Sequence, residues 1–124
     1  MEIVTNMKKD EIISVTKTIL VDEFKKDIKK NSKLFSNFEK KLIQKKSYQT
    51  GSGMLALKNA LIELIEKSEG ISLTETNIEI SHSKNGAPKL DKLERVKNQK
   101  DYLFSIAHTK KSAVAVAAKR GHRK

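Results

Sequence analysis

The stretch that decides the fold is Tyr102-Leu-Phe-Ser-Ile-Ala-His-Thr-Lys-Lys-Ser-Ala-Val-Ala-Val-Ala-Ala118. Its two ends are rich in apolar and β-branched residues, and the polar tetrapeptide His108–Lys111 separates them. This pattern predicts two strands, Tyr102–Ala107 and Ser112–Ala118, that pair antiparallel across a short connection. Alanine propensity would also allow a helix over Ala113–Ala118. The alternation of valine with alanine there favours a strand packed closely on a helix.

The helix for that packing is predicted upstream of the hairpin. Apolar residues crowd Met54–Ile65 densely enough for a mostly buried helix, and Gly70 is well placed to end it. The polar stretch Ser47–Gly53 before it is expected to be a loop. After Gly70, Ile71–Ile80 alternates apolar with polar residues at the period of a half-buried strand.

The remaining elements give the fold class. Apolar spacing predicts an amphipathic helix with a lysine-rich outer face over Asp10–Lys30 and a second helical face over Leu34–Leu42. Asn-Gly in Lys84–Pro88 predicts a turn with left-handed backbone, and a short polar helix is expected over Asp91–Lys100. The order of elements indicates an α+β domain in which an antiparallel sheet packs on a long central helix.

The length and the net charge of the chain limit the number of domains and the kinds of partner that it can have. A chain of 124 residues fits one domain, since single cores gather about 100 to 200 residues. We expect that domain over residues 1–118, with a basic tail at 119–124. The 26 Lys and Arg exceed the 15 Asp and Glu by 26 − 15 = +11, and the pI is near 9.8. Such a charge indicates an anionic partner.

Several features that the sequence lacks exclude further classes of protein. The chain has no cysteine, which excludes disulfides, thiolate metal sites and cysteine nucleophiles, and permits a reducing cytoplasm. Apolar runs fall short of the roughly 18 residues of a membrane helix, and Met1–Lys9 has no signal-peptide core. A cytoplasmic protein without a membrane segment is therefore expected. Nucleic acid is a weaker candidate for the anion, because aromatic residues make up only 5% and no reader motif is present.

Four motifs follow one another along the chain and narrow the choice. They are Phe38-Glu-Lys-Lys-Leu-Ile-Gln44, Gly53-Met-Leu-Ala-Leu-Lys-Asn-Ala60, Asn77-Ile-Glu-Ile-Ser81 with Lys84-Asn-Gly-Ala-Pro-Lys89, and Phe104-Ser-Ile-Ala-His-Thr-Lys110 with Ala113-Val-Ala-Val116. This succession resembles the small holo-acyl-carrier-protein synthases of the 4′-phosphopantetheinyl transferase superfamily. Their corresponding segments are FAERILT, GRFAAKEA, IEI…NGKP and SISHTK…AVAV. The resemblance covers roughly residues 35–118 and implies that family's fold.

The resemblance also implies a reaction in fatty acid biosynthesis. The phosphopantetheine arm of coenzyme A passes to a serine hydroxyl of an acyl carrier protein and leaves adenosine 3′,5′-bisphosphate. Mg²⁺ held by carboxylates would bridge the pyrophosphate, and a basic face would receive the acidic carrier protein. Family members of this size form trimers with active sites between subunits, so a homotrimer is expected.

The resemblance assigns two sets of binding residues. The residues expected to bind coenzyme A are Ser105, His108, Thr109, Lys110 and Pro88. Among these, the histidine and threonine would donate hydrogen bonds to the 3′-phosphate. The first helix of the family meets the carrier protein, so Lys25, Lys26 and Lys29 are the expected docking residues. His82 has no motif around it and is expected to be exposed.

The candidate catalytic residues are Asn59, Lys58 and Asp22. Lys58 is retained from the KEA motif, but the glutamate that binds metal in the family is Asn59 here. An amide is a weak ligand for a hard divalent cation. In the family, the other metal ligand is an aspartate in an N-terminal strand with the sequence GIDIVE. No such strand can be recognised in this sequence, and Asp22 and Asp10 are the remaining candidates for that aspartate. Asp22 and Asn59 are thus the candidate Mg²⁺ ligands.

Two further positions depart from the family, and they leave two functions open. Met54 stands where the family has arginine, and Glu63 stands where a lysine commonly faces the coenzyme phosphates. The retained histidine and threonine favour an active phosphopantetheinyl transferase. The loss of the metal glutamate favours a catalytically inactive homologue that binds a carrier protein or a nucleotide. The sequence favours the active transferase but does not exclude the inactive homologue.

Overall fold

The computed structural model of the chain describes residues 13–120. Asp10 and tail residues 121–124 lie outside the described residues. The elements are β1 (Ile13–Leu20), α1 (Val21–Lys26), α2 (Ile28–Ser32), α3 (Asn37–Lys45), α4 (Tyr48–Glu69), β2 (Ile78–His82), β3 (Pro88–Leu93), β4 (Tyr102–His108) and β5 (Ser112–Lys119). Single 3₁₀ turns at Glu75–Asn77 and Gln99–Asp101 precede β2 and β4. Within the described part of the chain, no helix is both long and apolar enough to cross a membrane.

Two antiparallel sheets form, and the larger one lies against α4. β1, β5 and β4 make a three-stranded sheet in that order, and β2 pairs with β3. The predicted hairpin is confirmed, with Tyr102 opposite Lys119 and His108 opposite Ala113. The expected α+β class, with an antiparallel sheet on a long helix, is confirmed as well.

α4 is the centre of the core. It runs for 22 residues, and Gly70 ends it with a left-handed backbone at φ 69°. The stripe Met54, Leu57, Leu61 and Ile65 is fully buried, as its spacing predicts. Burying each such side chain contributes about 1.5 to 3 kcal/mol. Alternate alanines of β5 are also fully buried, because their small side chains let the strand lie close to the helix.

The prediction of a helix over Asp10–Lys30 is wrong for its first half. β1 occupies Ile13–Leu20 and pairs along its whole length with β5. This segment is rich in isoleucine, valine and threonine, whose branched side chains fit a pleated sheet. The partner strand lies about a hundred residues further along the chain, so local periodicity could not reveal it. Helix begins only at Val21 and is interrupted at Asp27 between α1 and α2.

The prediction of a loop over Ser47–Gly53 is also wrong. Ser47 is the N-cap of α4, and its hydroxyl accepts a hydrogen bond from the Thr50 amide at 3.3 Å. The glycines in this segment serve packing instead of a turn. A β-carbon on Gly51 would lie 2.6 Å from the Phe24 ring, and one on Gly53 would lie 2.6 Å from His108 Nε2. Each glycine lets a neighbouring element touch the helix backbone.

The polar helix expected over Asp91–Lys100 is absent from the described structure. The segment instead contributes residues 91–93, the second half of β3, a strand in which Leu90 pairs with Ile80 and Leu93 with Ile78. Pairing across the Asn-Gly turn places these leucines beside the core, which outweighs the polar character of their neighbours. The turn itself has the predicted left-handed residue, Gly86, at φ 88°.

Two other boundaries differ from expectation. The strand predicted over Ile71–Ile80 is confined to β2, because Glu75–Asn77 forms a 3₁₀ turn that is capped by Thr74. The helical face predicted over Leu34–Leu42 is shifted to α3, Asn37–Lys45. Ser36 starts that helix with a capping box, in which the Glu39 amide donates to the Ser36 hydroxyl at 3.1 Å.

Candidate functional site

The turn between β4 and β5 lies against the start of α4. His108 ends β4, and its imidazole lies over Gly53, where a side chain on the helix would clash with it. The Gln49 side chain of α4 donates a hydrogen bond to the Thr109 carbonyl at 2.9 Å. These two contacts fix the turn beside the first two turns of the helix. The exposed residues of the turn are therefore held at the positive end of the α4 dipole.

Thr109 shapes this turn with its own side chain. Its hydroxyl oxygen accepts hydrogen bonds from the amides of Lys111, at 3.2 Å, and Ser112, at 3.0 Å. The Thr109 amide donates to the Ser112 carbonyl at 2.8 Å. These hydrogen bonds fix the shape of the turn that contains Thr109 and Lys110.

The other residues expected at the coenzyme site are spread over the fold. Lys110 is exposed in the same turn as His108. Ser105 pairs with Val116 on β5 and lies on the sheet face opposite His108, since strand residues three apart point to opposite sides. Pro88 starts β3 in the second sheet, opposite His82. The structure thus brings His108, Thr109 and Lys110 into one turn and places Ser105 on the other face of the sheet.

A second imidazole, which the sequence did not mark as functional, lies in this region. His82 is half-buried on β2, contrary to the expectation that it is exposed, and its Nδ1 atom is buried without a hydrogen-bond partner among residues 13–120. Burial lowers the pKa of His82, and the positive charges of Lys46 and His108 lower it further.

Lys58, expected to be catalytic, lies in the interior. Its side chain has no solvent exposure. Its ammonium donates to Glu39 Oε1 at 2.7 Å, to the Leu34 carbonyl at 2.9 Å and to the Glu75 carbonyl at 3.0 Å. An ammonium has three N–H donors, so these contacts use all of them. Burial lowers the pKa of Lys58, while the hydrogen bond to Glu39 opposes that shift. The position leaves Lys58 no free donor for a substrate.

Glu39 completes this interior network, and its importance was missed from the sequence. It is fully buried. Its carboxylate accepts from the Ser36 amide at 2.9 Å and from the Ile80 amide at 2.7 Å, in addition to Lys58. The pair therefore ties α3, α4 and β2 together. The spacing Ser36-x-x-Glu39 is a visible capping-box signal, but it gives no indication of the burial.

The residues present do not fit the Mg²⁺ site that the resemblance implies. Asn59 is half-buried on α4 and offers a neutral amide. Asp22 is exposed in the first turn of α1. Across residues 13–120, no group of three or more His, Asp or Glu side chains is arranged to hold a metal ion.

The charge at Glu63 is already neutralised by neighbours. Its carboxylate pairs with Lys17 of β1 at 2.6 Å and with Lys67, one turn further along α4, at 3.0 Å. The hydrogen bonds from these two lysines lower the pKa of Glu63. The position therefore carries no free cation, because Glu63 and the two lysines are paired with one another.

The expected docking residues lie on the surface of the short helices. Lys25 and Lys26 end α1, Lys29 lies in α2, and all three are exposed. The Lys25 ammonium also lies 5.5 Å from the centre of the Tyr48 ring, in the range of a cation–π contact. This places a basic surface next to the start of α4.

Comparison with known proteins decides the fold. No protein-family model matches the sequence, and a search of curated proteins found no match. Among solved structures, a holo-acyl-carrier-protein synthase from Chronobacterium ammoniagenes in complex with coenzyme A superposes with a TM-score of 0.76 and 19% identity. The match covers 92% of this chain and 100% of that one. The chain has the fold of the holo-acyl-carrier-protein synthases.

Two further structures with this fold agree. The Helicobacter pylori holo-acyl-carrier-protein synthase in complex with coenzyme A gives a TM-score of 0.68 at 24% identity, over 85% of this chain and 97% of that one. The Bacillus anthracis enzyme in complex with coenzyme A (3′,5′-ADP) gives 0.71 at 19% identity, over 87% and 95%. The fold predicted from four motifs is therefore confirmed, and it extends well beyond those motifs.

Proposed function

We propose that the protein transfers 4′-phosphopantetheine from coenzyme A to a serine of an acyl carrier protein. The observation that carries this proposal is the match of nearly the whole chain to solved synthases that contain coenzyme A. The reaction would serve fatty acid biosynthesis in the cytoplasm. A chain without cysteine is compatible with that reducing compartment.

In this proposal the turn between β4 and β5 receives the phosphates of coenzyme A. His108 and Lys110 are exposed there, and the α4 N-terminus contributes a partial positive charge. Thr109 keeps the turn in shape, and Gln49 attaches it to the helix. The imidazole of His108 would donate a hydrogen bond to a phosphate oxygen, and Lys110 would act as a point charge. Pro88 and Ser105 are proposed as further contacts with coenzyme A on the basis of the resemblance alone.

The carrier protein is proposed to dock on Lys25, Lys26 and Lys29. These exposed lysines flank the α4 N-terminus through the contact of Lys25 with Tyr48. Basic surfaces of this kind accelerate the encounter with an acidic protein, and the rate falls as salt screens the charges.

A homotrimer is proposed from the resemblance and from the outer face of the large sheet. That face consists of Ser14, Thr16, Thr18, Leu20, Leu103, Ser105, Ala107, Ser112, Val114, Val116 and Ala118. None of these residues is charged, although charged residues make up 33% of the chain. Leu20 and Leu103 are 47% and 54% exposed. Two copies carrying +11 each would repel at most other surfaces, so an uncharged face suits contact with further copies of this chain.

An inactive homologue that binds a carrier protein or nucleotide is the second candidate. Three observations favour it: Asn59 in place of a carboxylate, the burial of Lys58, and the neutralised Glu63. This candidate keeps the phosphate-binding turn but removes the chemistry.

Intact-mass spectrometry of the carrier protein separates the two candidates. Apo carrier protein is incubated with coenzyme A and the enzyme, with Mg²⁺, with Mn²⁺ and with a chelator. Transferase activity predicts a phosphopantetheinyl mass gain, which a carrier with its acceptor serine changed to alanine does not show. An unchanged mass at high enzyme concentration, together with calorimetric binding of coenzyme A, would establish the second candidate.

A further inference from the structure

A cavity of about 440 Å³ lies between the three short helices and the first turn of α4. Phe24, Phe35, Ile28 and Ile43 form its apolar wall, and Lys40 and Tyr48 lie among its polar lining residues. None of the lining residues comes from the turn between β4 and β5. The cavity is therefore separate from the proposed coenzyme site.

The wall of the cavity is preformed. Phe24 and Phe35 are nearly fully buried and contact each other edge to face, with ring centres 6.0 Å apart. Gly51 lies directly behind Phe24, so the ring is held against the helix backbone. The volume falls within the range of about 300 to 1,000 Å³ that is typical of small-molecule sites. A site of this size and apolarity fits an aliphatic chain.

The segment that contributes most of the cavity lining carries a net positive charge. Residues 21–46 contain nine lysines and four acidic residues, which gives 9 − 4 = +5. One of those four acids, Glu39, is buried with Lys58 and unavailable to the surface. In the part of the chain that the structure describes, the Lys40 ammonium forms no ion pair or hydrogen bond. A ligand with an anionic head and an apolar tail would satisfy both the lysine and the apolar wall.

We propose that this cavity binds a straight-chain fatty acid, with its hydrocarbon chain against Phe24 and Phe35 and its carboxylate at Lys40. The apolar wall excludes a fully polar anion such as inorganic phosphate. The unpaired ammonium of Lys40 in the lining selects a carboxylate over a neutral alcohol of the same chain length. This binding does not depend on the proposed transferase activity.

The test is a titration of decanoate, kept below its micelle concentration, into protein labelled with ¹³C at the isoleucine δ-methyl groups. Saturable shifts are expected for Ile28 and Ile43, which line the cavity. Ile106 packs near Gly53 under the β4–β5 turn and should not shift. Decanol, the neutral control, should bind about two- to fivefold more weakly, which is the scale of one partly exposed ion pair.

Matched variants test separately the contribution of Lys40 and that of the cavity itself. Lys40→Ala should weaken decanoate binding about two- to fivefold and leave decanol binding unchanged. Lys41→Ala removes the next lysine of α3, which does not line the cavity, and should change neither. Ser32→Phe should fill the cavity and abolish binding, and Ile28→Trp serves the same purpose if the first variant does not fold. An unshifted Ile106 signal shows that a variant is folded.

Three results would overturn the proposal. They are the absence of saturable shifts at Ile28 and Ile43, equal affinities of decanoate and decanol, and equal weakening by Lys40→Ala and Lys41→Ala. Decanoate binding that survives in a folded cavity-filling variant would likewise place the ligand elsewhere.

Discussion

The interior side of α4 and the turn that lies over its N-terminus use polar groups in opposite ways. Lys58 and Glu39 have no solvent exposure, and each of their polar atoms is engaged within the fold. His108 and Lys110 are exposed in a turn whose shape is set by other side chains. The first arrangement holds three elements together, whereas the second leaves hydrogen-bond donors free for a ligand.

From this difference we propose that Lys58 acts in the fold and not in the catalytic role that the resemblance assigns to it. Lys58 and His108 both belong to motifs that resemble the synthases, and the resemblance assigns both to one site. Burial separates them, because the three donors of the Lys58 ammonium are all used inside the protein and none is left for a substrate. The following predictions test that separation, beginning with the largest effect.

Lys58→Ala should lower the free energy of unfolding by about 3 to 5 kcal/mol, because it leaves the buried Glu39 carboxylate without its cation. Urea unfolding followed by circular dichroism measures the loss. The double variant Lys58→Met with Glu39→Gln should recover part of it, since a neutral pair has no uncompensated charge, but glutamine keeps only one of the two oxygens that accept from the Ser36 and Ile80 amides. A loss below about 1 kcal/mol for the single variant would be typical of an exposed ion pair and would contradict the buried network.

Gly51→Ala and Gly53→Ala compare the two faces of α4 directly. On Gly51 the new methyl group meets the buried Phe24 ring, so a cost of about 1 to 3 kcal/mol in unfolding free energy is expected. On Gly53 it meets the end of the His108 side chain, which can move outward, and the γ-methyl group of half-buried Ile106 at 2.8 Å, which must shift. That variant should lose less stability than Gly51→Ala, because alanine has the higher helix propensity and His108 can move, but it should bind coenzyme A more weakly. Equal stability losses would show that His108 is as fixed as Phe24.

His108→Ala should weaken coenzyme A binding about tenfold, the scale of one hydrogen bond to a charged group. Its unfolding free energy should stay near that of the parent, because the side chain is exposed. Calorimetric titration measures the affinity, and Lys41→Ala is the matched surface control. An unchanged affinity would remove the β4–β5 turn from the coenzyme site.

His82 is half-buried, between the buried Lys58 and the exposed His108. Its expected effect is the smallest, a dependence of the unfolding free energy on pH. Its pKa in the folded protein is below the usual 6.5 because of burial. Stability from the neutral imidazole is then complete above about pH 6.5 and is lost as pH falls through the folded-state pKa, since the unfolded chain binds the proton first. His82→Leu should flatten the unfolding free energy between pH 7 and 5. An unaltered slope would assign the acid sensitivity to other groups.

The parts of the fold that were predicted from sequence are those with a local signal. The alternation in β5, the apolar stripe of α4 and the glycine that ends it each report structure within a few residues. β1 could not be found in this way, since its strand character depends on pairing with β5 at the other end of the chain. β3 was missed for a similar reason, because only its pairing with β2 shows that Leu90 and Leu93 face the core.

The candidate site was predicted only in part. The motif around His108 correctly marked a turn that gathers three of its residues in one exposed place. Sequence adjacency could not show that Lys58 points inward while its neighbour Asn59 is half-exposed, because that depends on the rotation of α4 against α3 and β2. The cavity between the short helices has no sequence signature, since its lining residues come from four separate elements.

One measurement tests the separation of roles most directly: the rate of phosphopantetheinyl mass gain on the carrier protein, compared between two folded variants. The double variant Lys58→Met with Glu39→Gln should retain transfer at a rate near that of the parent, because the buried pair only supports the fold. His108→Ala should lose most of its activity at low coenzyme A concentration. If the double variant is inactive while folded and His108→Ala is fully active, Lys58 takes part in the chemistry and the account is wrong.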